Sequence, residues 1–245
     1  MTVVVADLTK HFGTTAAVER LSFEACASRI TGFLGRNGAG KTTTLRILLG
    51  LAQPTAGRAL IEDRPYRELE DPVRTVGAVV DGSTFHPGRT GRAHLQAIAC
   101  AAGIETPRID EVLGEVELDG AADRRVGGYS LGMRQRLSLA AALLGDPRTL
   151  VLDEPANGLD PQGIRWLRQL LRKFAAKGGT VLVSSHVLSE LAQVIDDVVV
   201  IDRGRLIAQT TLEGLVGPAG RSAPASSLED AFLRLTGHEG EAPAS

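Results

Sequence analysis

Hydrophobic residues in this chain fall into two alternating rhythms. "VVVADL", residues 3–8, is β-branched and predicts a strand, followed by a turn in "HFGTT" around Gly13. "AAVERLSFEA" sets Val18, Leu21 and Phe23 to one side and predicts a second strand. "ITGFLG" is a short apolar strand that ends at Gly35, and "KTTTLRILLGL" is the helix after it. "GRALIED" predicts a strand behind the Pro54–Gly57 turn. From Thr90 to about Arg125 the pattern is helical, with no strand. "TLVLD", residues 149–153, is a buried strand. "GIRWLRQLLRKFAAKG" places Ile164, Leu167, Leu170, Leu171 and Phe174 on one helical face and stops at Gly178. "TVLVSS" predicts a strand, "VLSELAQV" a helix, and "DVVVIDRGRLIAQ" a hairpin turning at Gly204. Strands alternating with helices imply an α/β fold with a mainly parallel sheet covered on both faces. The first two strands add a small antiparallel sheet at one edge. The stretch from about 90 to 135 is an all-helical insert.

The C-terminal part reads differently. Residues 216–226, "VGPAGRSAPAS", have the composition of a flexible linker. Ser227 and Asp230 suggest a capping box, followed by a short helix over 227–236 with Leu228, Ala231, Phe232 and Leu235 on one face. This helix should pack on its own domain, residues 1–215, and residues 237–245 should be disordered.

Composition narrows the function classes. The 245 residues are 43% hydrophobic, ample for a core, and the net charge of −2 gives no sign of a nucleic-acid surface. Cys26 and Cys100 lack metal-ligand spacing and are expected to be small buried thiols in a reducing compartment. No signal peptide precedes "TVVVADL", and no apolar run approaches the roughly 18 residues of a membrane span. The expected location is therefore cytoplasmic, with any membrane association made through a partner. His11, His86, His94 and His238 are read as structural.

"GRNGAGKT" fits G-x-x-x-x-G-K-[ST] at Gly35, Gly40, Lys41 and Thr42, between a strand and a helix as that motif requires. Backbone N–H groups of such a loop hold α- and β-phosphates. Lys41 adds a charge between the β- and γ-phosphates, and the Thr42 hydroxyl can ligate Mg²⁺. Asp153, at the end of "TLVLD", supplies a carboxylate for the metal shell. Glu154 follows it, placed to orient or deprotonate a water. His186 ends the strand in "VLVSSH"; parallel strands deliver their C-terminal ends to one crevice, so it could donate to the γ-phosphate. A second anion-binding candidate is "YSLGMRQR", where Ser130 and Gly132 stand just ahead of a helix-forming run.

Together these stretches resemble the nucleotide-binding subunit of an ATP-binding cassette (ABC) transporter over residues 1 to about 236. The motifs are "GRNGAGKTT" (Walker A), "YSLGM" (signature), "TLVLDEP" (Walker B), "ANGLD" (D-loop) and "SSH" (switch histidine). The resemblance implies a P-loop NTPase with an antiparallel β subdomain and a helical insert. It implies ATP held by the Walker A residues, with Arg36, Asn37, Gly38, Ala39 and Thr43 among them, and Phe12 stacked on adenine. Mg²⁺ is implied at Thr42 and Asp153, with Glu154, His186 and Lys41 as the catalytic set. It also implies that two subunits, here two copies, pack head to tail. Ser130 and Gly132 then face the partner's ATP, and Asp160 couples the two sites. The other implied partner is a transmembrane permease; nucleic acid is not. Two spellings depart from the usual pattern. The signature is commonly Leu-Ser-Gly-Gly-Gln, and Asp81 stands where glutamine is usual, which suggests either contact with Mg²⁺ through water or a cap on the turn at Gly82. "HPGRT" and "SLGMRQRLSLA" resemble a bacterial exporter subgroup that includes antibiotic and antimicrobial-peptide exporters. The competing classes are a soluble ABC ATPase acting on ribosome or DNA and a small-molecule kinase.

Overall fold

The computed structural model describes residues 2–80, 85–187, 192–217 and 225–237. Strands β1 (Val3–Phe12) and β2 (Thr15–Ala25) form the first hairpin, turning at Gly13 with φ 58°. Strand β4 (Ala56–Ile61) pairs on the other side of β1, giving an antiparallel sheet in the order β2-β1-β4. Val18 and Leu21 are three apart yet both fully buried. A bulge reconciles them: the ladder slips between Leu8↔Leu21 and Lys10↔Val18, and Arg20 takes φ 48°.

The main sheet has the order β5-β6-β7-β3-β8-β9. Its strands are β3 (Ile30–Leu34), β5 (Val76–Val79), β6 (Thr149–Asp153), β7 (Thr180–Ser185), β8 (Asp197–Asp202) and β9 (Arg205–Thr211). All pairings are parallel except the β8–β9 hairpin, which turns at Gly204. All five residues of β3 are buried. Alternate side chains enter two cores: Ile30 and Leu34 join the helical side, and Phe33 joins the side shared with the antiparallel sheet, where it stacks on Phe23 at 5.0 Å. Burial on both faces is why these strands read as continuous apolar runs.

Helix α1 (Lys41–Leu48) follows β3, and α2 (Pro72–Thr75) leads into β5. The insert carries α3 (Gly91–Ala102), α4 (Pro107–Glu115) and α5 (Leu131–Leu143). Among the described residues it contains no strand, only an isolated Thr90↔Arg125 bridge. Helix α6 (Pro161–Ala176) follows β6, and the chain continues through α7 (Leu212–Val216) and α8 (Ala225–Leu235).

Several expectations need correction. Strand β5 is absent from the pattern reading because it is four residues long and contains Gly77. That glycine is required: a Cβ there would lie 2.0 Å from the Ala142 carbonyl oxygen of α5. The buried stripe of α6 is Gly163, Trp166, Leu167, Leu171 and Ala175, so Ile164, Leu170 and Phe174 sit at its half-buried rim. Helix α8 begins at Ala225, two residues before the expected cap at Ser227. Its Leu228, Ala231 and Phe232 are buried, Leu228 and Phe232 within the main core, whereas Leu235 is exposed. The two large side chains contribute about 1.5–3 kcal/mol each to docking. Both cysteines are exposed, contrary to expectation: Cys26 lies just beyond β2, and Cys100 is on the opposite face of α3 from its buried Leu95 and Ala99. Asp81, His238, half of the helix read in 187–194, most of the linker and most of the tail lie outside the described residues.

Candidate functional site

The strand order puts β7 between β6 and β3, so the C-terminal ends of three adjacent parallel strands meet at one edge of the sheet. From β3 the chain enters the glycine loop. Gly35 passes so close to β8 that a Cβ would stand 2.7 Å from the Ile201 carbonyl oxygen. Gly40 caps α1 at φ 101°, where a Cβ would stand 2.5 Å from the Ala17 carbonyl oxygen. A side chain at either position would displace the loop. No side chain caps α1, so the N–H groups of its first turn point into the cradle without a side-chain partner. Ala39 is buried beneath the loop. Arg36, Asn37, Gly38, Thr42 and Thr43 line a cavity of about 220 Å³ with Glu154 opposite.

Lys41 is only 6% exposed. Its Nζ donates to the carbonyls of Gly35 (2.6 Å) and Arg36 (3.3 Å) and lies 3.5 Å from Glu154 Oε1. The ammonium is thus folded over the loop, compensated by backbone oxygens and one carboxylate. The Thr42 hydroxyl donates to Asp153 Oδ2 at 2.6 Å. These two oxygens are the hard donors Mg²⁺ prefers, and with phosphate oxygens and water they suffice for a metal that keeps much of its hydration. The donor set therefore fits Mg²⁺. Among the described residues no cluster of three or more His, Cys, Asp or Glu competes as a metal cage.

Glu154 leaves the end of β6 with φ 50°, an uncommon conformation for a residue with a side chain, worth about 1–2 kcal/mol of strain. The turn is held by Glu154 N–H donating to Ser184 Oγ (3.1 Å) and by Asn157 N–H donating to the Glu154 carbonyl (3.2 Å). His186, one residue past the end of β7, meets the carboxylate, its Nδ1 2.7 Å from Glu154 Oε2 and its backbone N–H 3.3 Å from the same oxygen. Glu154 is therefore pinned between Lys41 and His186. Sequence reasoning missed Ser184, whose hydroxyl also donates to Asp153 Oδ1. Its signal was visible: a serine within a wholly buried strand needs a partner.

Phe12 stands near the end of β1, 54% exposed, with Lys10 Nζ 5.0 Å from its ring centroid. It does not line the cavity, whose wall on the β2 side is Ala17.

The second anion-binding candidate is assembled elsewhere. Ser130 caps α5, its Oγ accepting from Met133 N–H at 3.2 Å. Asp160 caps α6, its Oδ1 accepting from Gly163 N–H at 2.7 Å. The two helix starts pack together: a Cβ on Gly132 would meet the Gly158 carbonyl at 3.3 Å, and one on Gly158 would meet Leu131 at 2.3 Å. Leu131 is 65% exposed. Ser130, Gly132 and Asp160 line no part of the phosphate-loop cavity.

The family profile described as ABC transporter matches residues 18–157. A bacitracin transport ATP-binding protein of Bacillus licheniformis is 42% identical over 212 residues, covering 85% of this chain and 69% of that protein. A Nod factor export ATP-binding protein of Burkholderia lata is 38% identical over 215 residues, covering 86% and 71%. A solved ATP-binding subunit of an ABC transporter superposes with a TM-score of 0.84 at 26% identity, covering 96% of this chain and all of that one.

Proposed function

This chain belongs to the ABC transporter family as an ATP-binding, ATP-hydrolysing subunit, and from that premise we propose that it energises a membrane exporter by pairing head to tail with a second copy around ATP. The observation that carries the pairing is the position of Ser130 and Leu131, a helix start exposed to solvent and outside its own phosphate cradle. Export is supported by the relatives' transport of bacitracin and export of Nod factor.

Within one cradle, the first-turn N–H groups of α1 and the Lys41 ammonium bind the phosphates, exchanging the backbone carbonyls of Gly35 and Arg36 for stronger anionic partners. Thr42 and Asp153 would hold Mg²⁺, with Asp81 reaching it through water; the metal, when bound, offsets phosphate charge. Glu154 takes the proton of the attacking water, and His186 fixes the carboxylate's direction. With Nδ1 engaged by Glu154, the ring can donate from Nε2 to the γ-phosphate only when both nitrogens carry protons. Phe12 bears on the adenine. Ser130, Gly132 and the start of α5 complete the partner's site, and Asp160 links the two sites through α6. Residues 1–215 act as the ATPase domain and 90–135 as its helical subdomain.

The permease would seat on the insert. An apolar groove of about 370 Å³ lies there, walled by Val73, His94, Ala97, Ile98 and Ala101. Among the described residues no helix is long and apolar enough to cross a membrane, so this reading places the membrane-spanning part in the partner. Purification from lipid-extracted cells tests this directly. A polytopic membrane protein that co-purifies and raises the ATPase rate supports the reading; co-purification with ribosomes or DNA contradicts it.

A further inference from the structure

At the opposite end of the sheet from the ATP cradle, a cavity of about 640 Å³ opens between the helical insert and the core. Its rim on the core side is Arg148, one residue before β6, and Gly179, one residue before β7; on the insert side it is Arg108 and Glu115 of α4. Strand β6 alone separates it from Asp153 by about 16 Å. Leu170 and Phe174 of α6 form an apolar wall, and Lys173 and Lys177 stand at the mouth.

The charge is unbalanced. Four cations (Arg108, Arg148, Lys173, Lys177) face two carboxylates (Glu115, Asp146). Arg108 already engages both carboxylates, at 3.5 and 3.9 Å, and donates to the Leu143 and Leu144 carbonyls. Arg148, Lys173 and Lys177 have no ion-pair partner among the described residues. The negative end of the α6 dipole accounts for a lysine in its last turn. It does not account for Arg148, which belongs to another element, or for a cavity large enough for a small ligand.

We propose that this cleft binds a small organic phosphate with an apolar or aromatic portion. The phosphate is taken by Lys173, Lys177 and Arg148, and the apolar part lies against Leu170 and Phe174. Such a ligand touches α4 and the end of α5 on one side and α6 and the start of β6 on the other, tying the insert to the core. The other end of α6 is Asp160, beside the Gly158–Leu131 contact. The binding claim does not depend on the pairing or on a permease.

The molecule carries its own reporter. Trp166 is the sole tryptophan. Its Nε1 donates to the carbonyl of the lining residue Glu115 at 3.2 Å, and the Arg136 guanidinium lies 4.2 Å above the ring. The full chain, free of nucleotide, is titrated with phenyl phosphate while Trp166 emission is followed, in parallel with phenol and inorganic phosphate. The expected result is a saturable change with phenyl phosphate, weaker binding of inorganic phosphate, and no saturation with phenol. The Lys173→Glu/Lys177→Glu variant, changed only at exposed positions, should bind about tenfold more weakly or worse. Lys41→Ala should bind as the wild type does. Loss of the signal in Lys41→Ala with retention in Lys173→Glu/Lys177→Glu would place the ligand in the ATP cradle and overturn the proposal. So would the absence of any saturable change, or saturation by phenol.

Discussion

The glycine loop and the signature loop are both helix starts suited to anions, yet they are finished to different degrees. Around the loop at Gly35–Thr42, groups that would meet phosphate or metal already touch one another: Lys41 reaches Glu154, Thr42 reaches Asp153, and His186 reaches Glu154. Around Ser130, among the described residues, the hydroxyl accepts from the helix's own Met133 N–H and from no other element, and Leu131 beside it is exposed. A site whose members brace each other works within one chain. One that presents an exposed leucine and a self-capped serine is, on the proposed reading, the half that a second copy completes. The contrast is the physical basis for reading one chain as half of two sites.

The largest effect is expected on the braced side. Glu154→Gln keeps the shape and the contact near Lys41 but removes the base, so hydrolysis should fall by two orders of magnitude or more, roughly the scale of general-base loss. ATP binding should persist, and an ATP-bound dimer should accumulate; wild-type turnover in this variant would break the assignment. Next is Gly40→Ala, which places a methyl against the Ala17 carbonyl in a backbone conformation that disfavours it. A stability loss of about 2 kcal/mol is expected, with weaker ATP binding, measured by denaturant midpoint and nucleotide titration.

On the unfinished side, Leu131→Gly should cost the monomer no more than about 1 kcal/mol in stability, the scale of a glycine placed in a helix. Its ATP affinity as a monomer should also hold, while ATP-dependent association changes. An equal loss in the monomer would erase the distinction between the two loops. The smallest effect concerns the insert that carries α5. Burial and the nearby Arg89 hold the His94 imidazole below its ordinary value. The folded state therefore favours the neutral ring. Its contribution is fully present above about pH 6.5 and is lost as pH falls through the lowered folded value. His94→Gln should flatten that acid-side slope in urea midpoints measured at neutral and mildly acidic pH.

Much of this contrast was legible in the residues. The glycine spacing, the Asp153–Glu154 pair and the strand ending at His186 follow from motif and periodicity, because a parallel sheet gathers strand ends at one edge. Ser184 was missed because its function depends on the lateral neighbour of β7, which chain order does not state. Strand β5 escaped because tight packing of Gly77 under α5, rather than propensity, makes it a strand. The thiols of Cys26 and Cys100 were misplaced because small apolar character says nothing about which face of an element a residue occupies.

The central claim is that each ATP is held by Lys41 of one copy and Ser130 of the other. It is tested by mixing two damaged chains. Ser130→Arg alone and Lys41→Ala alone should each fail to crosslink as ATP-dependent dimers, although Ser130→Arg keeps its monomer affinity for ATP. Mixed, they restore one composite site, with intact Lys41 facing intact Ser130, and ATP-dependent crosslinking should return in the mixture. A mixture that never crosslinks in response to ATP, or Ser130→Arg chains that pair as the wild type does, would contradict the account.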